Sequence, residues 1–132
     1  MNRAEILAHV EDALDVGARE NFAIEDVPES ILATMIQSIE QLDHSTEKIE
    51  MILFGKDVGS DARLWLLTNE RLIIIGSQSD PADKIALSKI RSVEEYGKTL
   101  FVRCDYEPSP MISAFDMRRG HKMAKVLRLM LS

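Results

Sequence analysis

The sequence predicts an α+β chain: an N-terminal helical hairpin, then seven short strands in an antiparallel barrel or sandwich, then a closing helix. Three observations lead there. Apolar residues recur at helical spacing up to about residue 43, fall into short runs broken by turn residues from Ile49 onward, and return to helical spacing after Asp116. The stretch Leu64–Ser77, LWLLTNERLIIIGS, fixes the middle of the pattern. Its two apolar runs hinge at Thr68-Asn69-Glu70-Arg71 and read as a β-hairpin. Side chains alternate along a strand, so Leu64 and Leu66 face away from Trp65 and Leu67, and Ile73 and Ile75 away from Leu72 and Ile74. Both faces of the hairpin are apolar, and each needs a cover other than water.

Asn2 and Glu5 form a capping pair for a first helix from Arg3 to about Val16, with Ile6, Leu7, Val10, Ala13 and Leu14 on one face before Gly17. Pro28 suits the first turn of a second helix running to Asp43, whose stripe is Ile31, Leu32, Met35, Ile36, Ile39 and Leu42. The boundary falls at His44 to Lys48, giving a helical hairpin over 1–46 and a strand-rich domain over 47–132. Strands are expected at Glu50–Lys56, Ala62–Leu67 and Arg71–Gly76, followed by a loop from Ser77 to Asp83 containing Pro81. Ile85, Leu87, Ile90 and Val93 mark two short strands, and Glu95-Tyr96-Gly97-Lys98 a tight turn. Thr99–Cys104 and Met111–Phe115 complete the set, the latter beyond Pro108 and Pro110. Asp116 caps the closing helix, whose inner face is Met123, Val126, Leu127 and Met130.

A chain of 132 residues suits one sizeable core, and 45% apolar with 29% charged residues is ordinary for a globular protein. Aromatics reach only 5%, so aliphatic and methionine side chains must do the packing. The start MNRAEILAHVEDALD carries acids where a signal peptide needs a basic start, and no run is long enough to span a bilayer; a cytoplasmic location is expected. The net charge of −6 is unevenly placed. Residues 1–50 carry three basic and twelve acidic residues, a balance of −9, while residues 51–132 carry thirteen and ten, a balance of +3. An acidic chain is poorly suited to nucleic acid, whose affinity rests on many cations at phosphates.

Several chemistries have no seat. The six glycines form neither a dinucleotide fingerprint nor a phosphate loop. His9, His44 and His121 lack metal-ligand spacing, no serine sits in a nucleophile elbow, and the lone Cys104 reads as a strand residue. Asp57 and Asp61 beside Lys56 are loop acids, better read as solvated than as an acid-base pair. Neither a catalytic residue nor a metal or cofactor site is assigned.

Residues 47 to 131 resemble the bacterial pleckstrin-homology-like domains related to GRAM domains, of the YokE-like type. The likeness rests on the E-K-I start (Glu47, Lys48, Ile49), the phrase W-L-L-T-N-E-R-L-I-I-I (Trp65–Ile75), the phrase I-A-L-S-K-I-R-S-V (Ile85–Val93), and a late strand before a closing helix. Ala86 stands where the family usually has proline. The resemblance implies a seven-stranded antiparallel barrel in two near-orthogonal sheets, capped at one end by the C-terminal helix. Members that bind phosphoinositides carry a lysine ending strand one, then a basic residue, any residue and an arginine on strand two. Lys56 and Arg63 match the first two, but Trp65 replaces the arginine, and Asp57 and Asp61 bring opposing charge.

The function expected is a non-enzymatic interaction or assembly module, with a peripheral domain for anionic membranes as the alternative. An enzyme of unrecognised type is a third reading, which a deep pocket with convergent polar groups would favour. Candidate contacts to a ligand or anionic surface are Lys56, Arg63, Arg118, Arg119 and Lys122. Arg118, Arg119 and Lys122 belong to a basic run on the last helix with Lys125, Arg128 and His121. Candidate interface residues are Trp65, Leu67, Ile73 and Ile75 on the hairpin, with Ile31, Met35 and Ile39 on the second helix. The expected partner is protein, a second copy of the chain first of all, with no nucleic acid and weak or absent membrane contact.

Overall fold

The computed structural model describes residues 4–5, 27–43, 45–76, 82–105 and 109–132. The bulk of the expected first helix, His44 at the expected boundary, and Ser77, Pro81 and Pro108 lie outside the described residues. In chain order the elements are α1 (Glu29–Glu40), β1 (Ile49–Lys56), β2 (Ala62–Thr68), β3 (Arg71–Gly76), β4 (Asp83–Ala86), a 3-10 turn (Leu87–Lys89), β5 (Ile90–Tyr96), β6 (Thr99–Cys104), β7 (Met111–Ala114) and α2 (Met117–Leu131). Every strand pairing is antiparallel, and the order across the sheet is β4-β3-β2-β1-β7-β6-β5.

One expectation changes. Instead of two separate sheets, a single sheet curls into a half-barrel, because β1 continues into β7 through the pairs Gly55 with Ala114 and Lys56 with Ser113. Three boundaries also move, each for a local reason. α1 ends at Glu40 rather than Asp43 because the Asp43 carboxylate accepts from the Ser45 backbone N–H at 3.1 Å and from its hydroxyl at 2.5 Å, which turns the chain. The expected four-residue turn at Glu95 shrinks to Gly97 and Lys98, since Tyr96 already pairs with Thr99 and Gly97 takes the positive φ of 64° that such a hairpin asks of its first central residue. Asp83 opens β4 instead of closing a loop. Ala86 has φ −63°, the angle a proline ring imposes.

Alternation in the hairpin sorts its side chains into two cores. Leu64, Leu66, Ile73 and Ile75 pack on the outer side with Ile31, Leu32, Met35 and Ile39 of α1. Trp65, Leu67 and Leu72 point the other way, joining Val102, Ile112, Met123 and Leu127 inside the half-barrel. α2 closes that inner core from one end. Asp116 caps it, its Oδ1 accepting from the N–H groups of Arg118 at 2.8 Å and Arg119 at 3.3 Å.

The phrase T-N-E-R has a structural purpose. Thr68 Oγ1 donates to Glu47 Oε2 at 2.5 Å, while Arg71 grips the same carboxylate through Nε at 2.8 Å and Nη2 at 2.6 Å. Asn69 accepts from the Lys48 N–H at 2.7 Å and donates to the Thr46 carbonyl at 3.0 Å. Together they pin the segment entering β1 onto the β2–β3 turn. Glu47 is only 1% exposed. Burial works to raise its carboxyl, but the hydrogen bonds of Arg71 and Thr68, with the Arg71 charge, outweigh burial and hold it below its usual range. Arg71 is raised in return, chiefly by the hydrogen bond to Glu47.

The sign of the pH dependence follows from the lowered carboxyl. The unfolded chain binds the proton more readily, so the stability Glu47 contributes is complete at neutral pH and is lost as pH falls below the usual value of 4.5. Arg71→Met should reverse this. With its partner gone the buried carboxylate loses about 2–3 kcal/mol at neutral pH and titrates upward, so the variant should gain stability on acidification from pH 7 towards 5. Urea unfolding at the two pH values checks it; a variant whose stability is flat across that range rules the account out.

Candidate functional site

Two basic regions were expected to offer contacts, and the structure treats them differently. In the β1–β2 loop the Asp57 carboxylate turns inward. Its Oδ1 accepts from the N–H groups of Gly59 at 2.9 Å and Asp61 at 3.0 Å, and its Oδ2 pairs with Arg63 Nη2 at 2.7 Å. The backbone closes around it, with the Asp57 N–H on the Asp61 carbonyl at 2.9 Å and Ser60 in the left-handed region at φ 67°. An anion that needed these donors would have to displace a carboxylate already held by two backbone N–H groups and an arginine. Arg63 is thus neutralised from within its own loop, and Lys56, half-buried at the end of β1, is left without a convergent second cation. Trp65 does not reach this loop's surface; it is fully buried in the inner core.

The basic run on α2 divides into two sets. Arg128 and His121 are spent on Glu95 of β5: Arg128 Nη1 meets Oε1 at 2.7 Å, and His121 Nδ1 lies 2.9 Å from Oε2. The His121 hydrogen bond, helped by Arg128 and opposed by burial, holds the Glu95 carboxyl below its usual range. Arg128 Nη2 also donates to the Val93 carbonyl at 3.0 Å, which occupies an acceptor on the edge strand β5. This set ties the helix to the sheet. Arg118, Arg119, Lys122 and Lys125 form the other set, and among the described residues they make no ion pair.

Exposed apolar side chains stand near those free cations. Tyr96, Phe115 and Met117 are 61%, 57% and 60% exposed. Gly97, Met117, Arg118 and His121 line one shallow hollow of about 350 Å³, which places the β5–β6 turn beside the start of α2. Cations with exposed aromatic and methionine side chains make a surface suited to a partner of negative charge with apolar contacts of its own. Of the expected interface residues, Ile31, Met35, Ile39, Ile73 and Ile75 meet in the outer core, whereas Trp65 and Leu67 lie in the inner one. Glu95 was missed as a site residue. It lies 26 and 33 residues from its partners, and nothing local in the sequence announces such a pairing.

Among the described residues no three His, Cys, Asp or Glu side chains converge as a metal site, and no helix is long and apolar enough to cross a membrane. No protein-family model matches the chain, and no curated protein matches its sequence. Solved structures do match its fold. The complex of PDZ-RhoGEF DH/PH domains with GTP-γ-S-activated RhoA aligns at 16% identity and TM-score 0.53, over 98% of this chain and 39% of that one. The human RhoA complex with the DH/PH fragment of PDZ-RhoGEF gives 15%, 0.51, 98% and 39%. The FERM and C-terminal domain complex of Drosophila Merlin gives 12%, 0.55, 76% and 34%. The chain thus spans little more than a third of these structures, and at such identities the likeness is one of fold: residues 49–131 adopt a pleckstrin-homology-like fold.

Proposed function

We propose that this chain is a non-enzymatic interaction module of the bacterial GRAM-related type, working in the cytoplasm through the free basic face of α2. The supporting observation is the contrast between Arg63, consumed by Asp57 at 2.7 Å, and Arg118, Arg119 and Lys122, which have no ion-pair partner among the described residues and stand by exposed Met117 and Phe115. The partner that fits is acidic protein. The chain supplies acidic sequence of its own, since residues 1–50 hold a balance of −9 against +3 for the rest, and a second copy bringing its segment 1–46 to α2 of the first would satisfy both. Two of the matching structures are complexes with a protein partner, RhoA, which is compatible with a protein-binding role for this fold.

Light scattering coupled to size exclusion tests the reading. The full chain should self-associate at low salt and fall towards monomer at high salt, because exposed charges are screened. Reversing Arg118, Arg119 and Lys122 to glutamate should give monomer at both. The membrane alternative makes the opposite forecast: a monomer at both salts that binds anionic vesicles saturably, with selectivity for one headgroup and loss on Lys56→Ala. That outcome would replace the assembly reading.

A further inference from the structure

At the β1–β2 end of the half-barrel a cleft of about 660 Å³ enters the molecule, lined from β2, β3 and β4 on one side and from β6 and β7 on the other. Its volume lies within the range of pockets that hold small molecules. The walls are apolar, formed by Ile74, Ile85, Phe101, Pro110 and Met111, with Trp65 beneath them. Trp65 is wholly buried, and its indole Nε1–H has no hydrogen-bond acceptor among the described residues. Native interiors rarely strand a donor in this way.

We infer that the floor of the cleft opens to bind a small uncharged carbonyl compound with an apolar body, an amide or ester whose oxygen accepts from Trp65. An indole N–H can only donate, so the ligand atom that meets it must be an acceptor. The charge of that atom follows from the lining. It holds Asp57 and Asp83 with Arg63 and Lys84, two anions and two cations, and Arg63 is already bound to Asp57 while Lys84 donates to Gln41 at 3.3 Å. A carboxylate carried to the indole would be a buried charge with one neutral donor and no counter-ion, which is costly; an amide or ester oxygen asks for no more than one donor. An ammonium ligand offers Trp65 nothing to accept with. The apolar body meets Ile74, Ile85, Phe101 and Met111. This inference does not depend on the assembly reading, which concerns α2 and the N-terminal segment.

Trp65 is the chain's only tryptophan, so a nitrogen-15-labelled sample gives one indole N–H resonance. Titrating the full chain with octanamide should move that resonance downfield and saturate it, as expected of a donor gaining an acceptor. Octanoate should bind about tenfold more weakly or worse, and octylamine should leave the resonance in place. Ile85→Phe narrows the cleft without touching the indole, and it should weaken octanamide by about tenfold while circular dichroism stays unchanged. Trp65→Phe keeps the ring and removes the donor. The variant should retain its own Tm and lose the rise in Tm that octanamide gives the natural chain. The inference is overturned if the resonance is unmoved up to the solubility limit of octanamide. It is equally overturned if octylamine moves it as far, or if Ile85→Phe binds octanamide as well as the natural chain does.

Discussion

A chain beginning at Ser45 should be recovered mainly as aggregate, and Met35→Ala in the full chain should lower stability by about 2–5 kcal/mol. Both follow from the hairpin Ala62–Gly76 being apolar on its two faces. Its inner face belongs to the half-barrel, but Leu64, Leu66, Ile73 and Ile75 on the outer face are buried in one core with α1. Each such side chain contributes about 1.5–3 kcal/mol by leaving water, so uncovering four forfeits some 6–12 kcal/mol, an upper estimate because the unfolded chain already hides part of this surface. A whole domain is stable by only about 5–15 kcal/mol. Exposed on adjacent strands, the same four residues make the contiguous patch that drives association. Met35 is the finer probe, being fully buried on the α1 stripe in the outer core, whereas α2 packs on the inner one. Urea midpoints and the soluble fraction on expression measure both effects; a soluble truncated chain with an unchanged midpoint would show that the outer face needs no cover.

The need for that cover was legible in the sequence because alternation and helical spacing are both periodic signals. Leu64, Leu66, Ile73 and Ile75 on one side of a hairpin, and Ile31, Met35 and Ile39 on one side of a helix, can be read without coordinates. The same holds for the Asp116 cap and the α2 stripe, where Met123 and Leu127 are fully buried and Val126 and Met130 half-covered. What sequence does not carry is the partner of a charge. Lys56 and Arg63 look alike as loop cations until the Asp57 carboxylate is seen to fold back on Arg63, and Arg118 and Arg128 look alike until Glu95 takes one of them. The T-N-E-R phrase is an intermediate case. It marked the hairpin turn as a pattern, but its reason, Thr68 and Arg71 holding a carboxylate 21 and 24 residues earlier, is a contact between separate segments. The joining of two expected sheets into one was likewise hidden, since it rests on two residue pairs at the ends of strands.

Gly55 governs that joint, and Gly55→Ala should be among the most damaging single-methyl changes in the chain. A Cβ at this position would stand 2.3 Å from the Ser113 carbonyl oxygen and 2.9 Å from Ile112 Cγ1. The first of these is backbone, so no rotamer relieves it and β7 itself must move. β7 meets β1 at two residue pairs, reinforced by the Phe115 N–H on the Phe54 carbonyl at 3.3 Å and the Phe54 and Phe115 rings 4.9 Å apart. Displacing β7 therefore unfastens β5, β6 and β7 from the first four strands and opens the core beneath α2. The expected cost is about 3 kcal/mol or more, at the upper end for overpacking. Two other glycines calibrate the result. Gly97→Ala meets no atom within 4 Å but forces a side chain to φ 64°, which costs about 1–2 kcal/mol. Gly59→Ala has neither problem, its nearest neighbour being Asp57 Oδ1 at 3.4 Å, and should stay within about 0.5 kcal/mol of the natural chain. Urea midpoints of the three variants should fall in the order Gly59, Gly97, Gly55 from most to least stable. A Gly55→Ala variant as stable as Gly59→Ala would mean that β1 and β7 do not make this close approach.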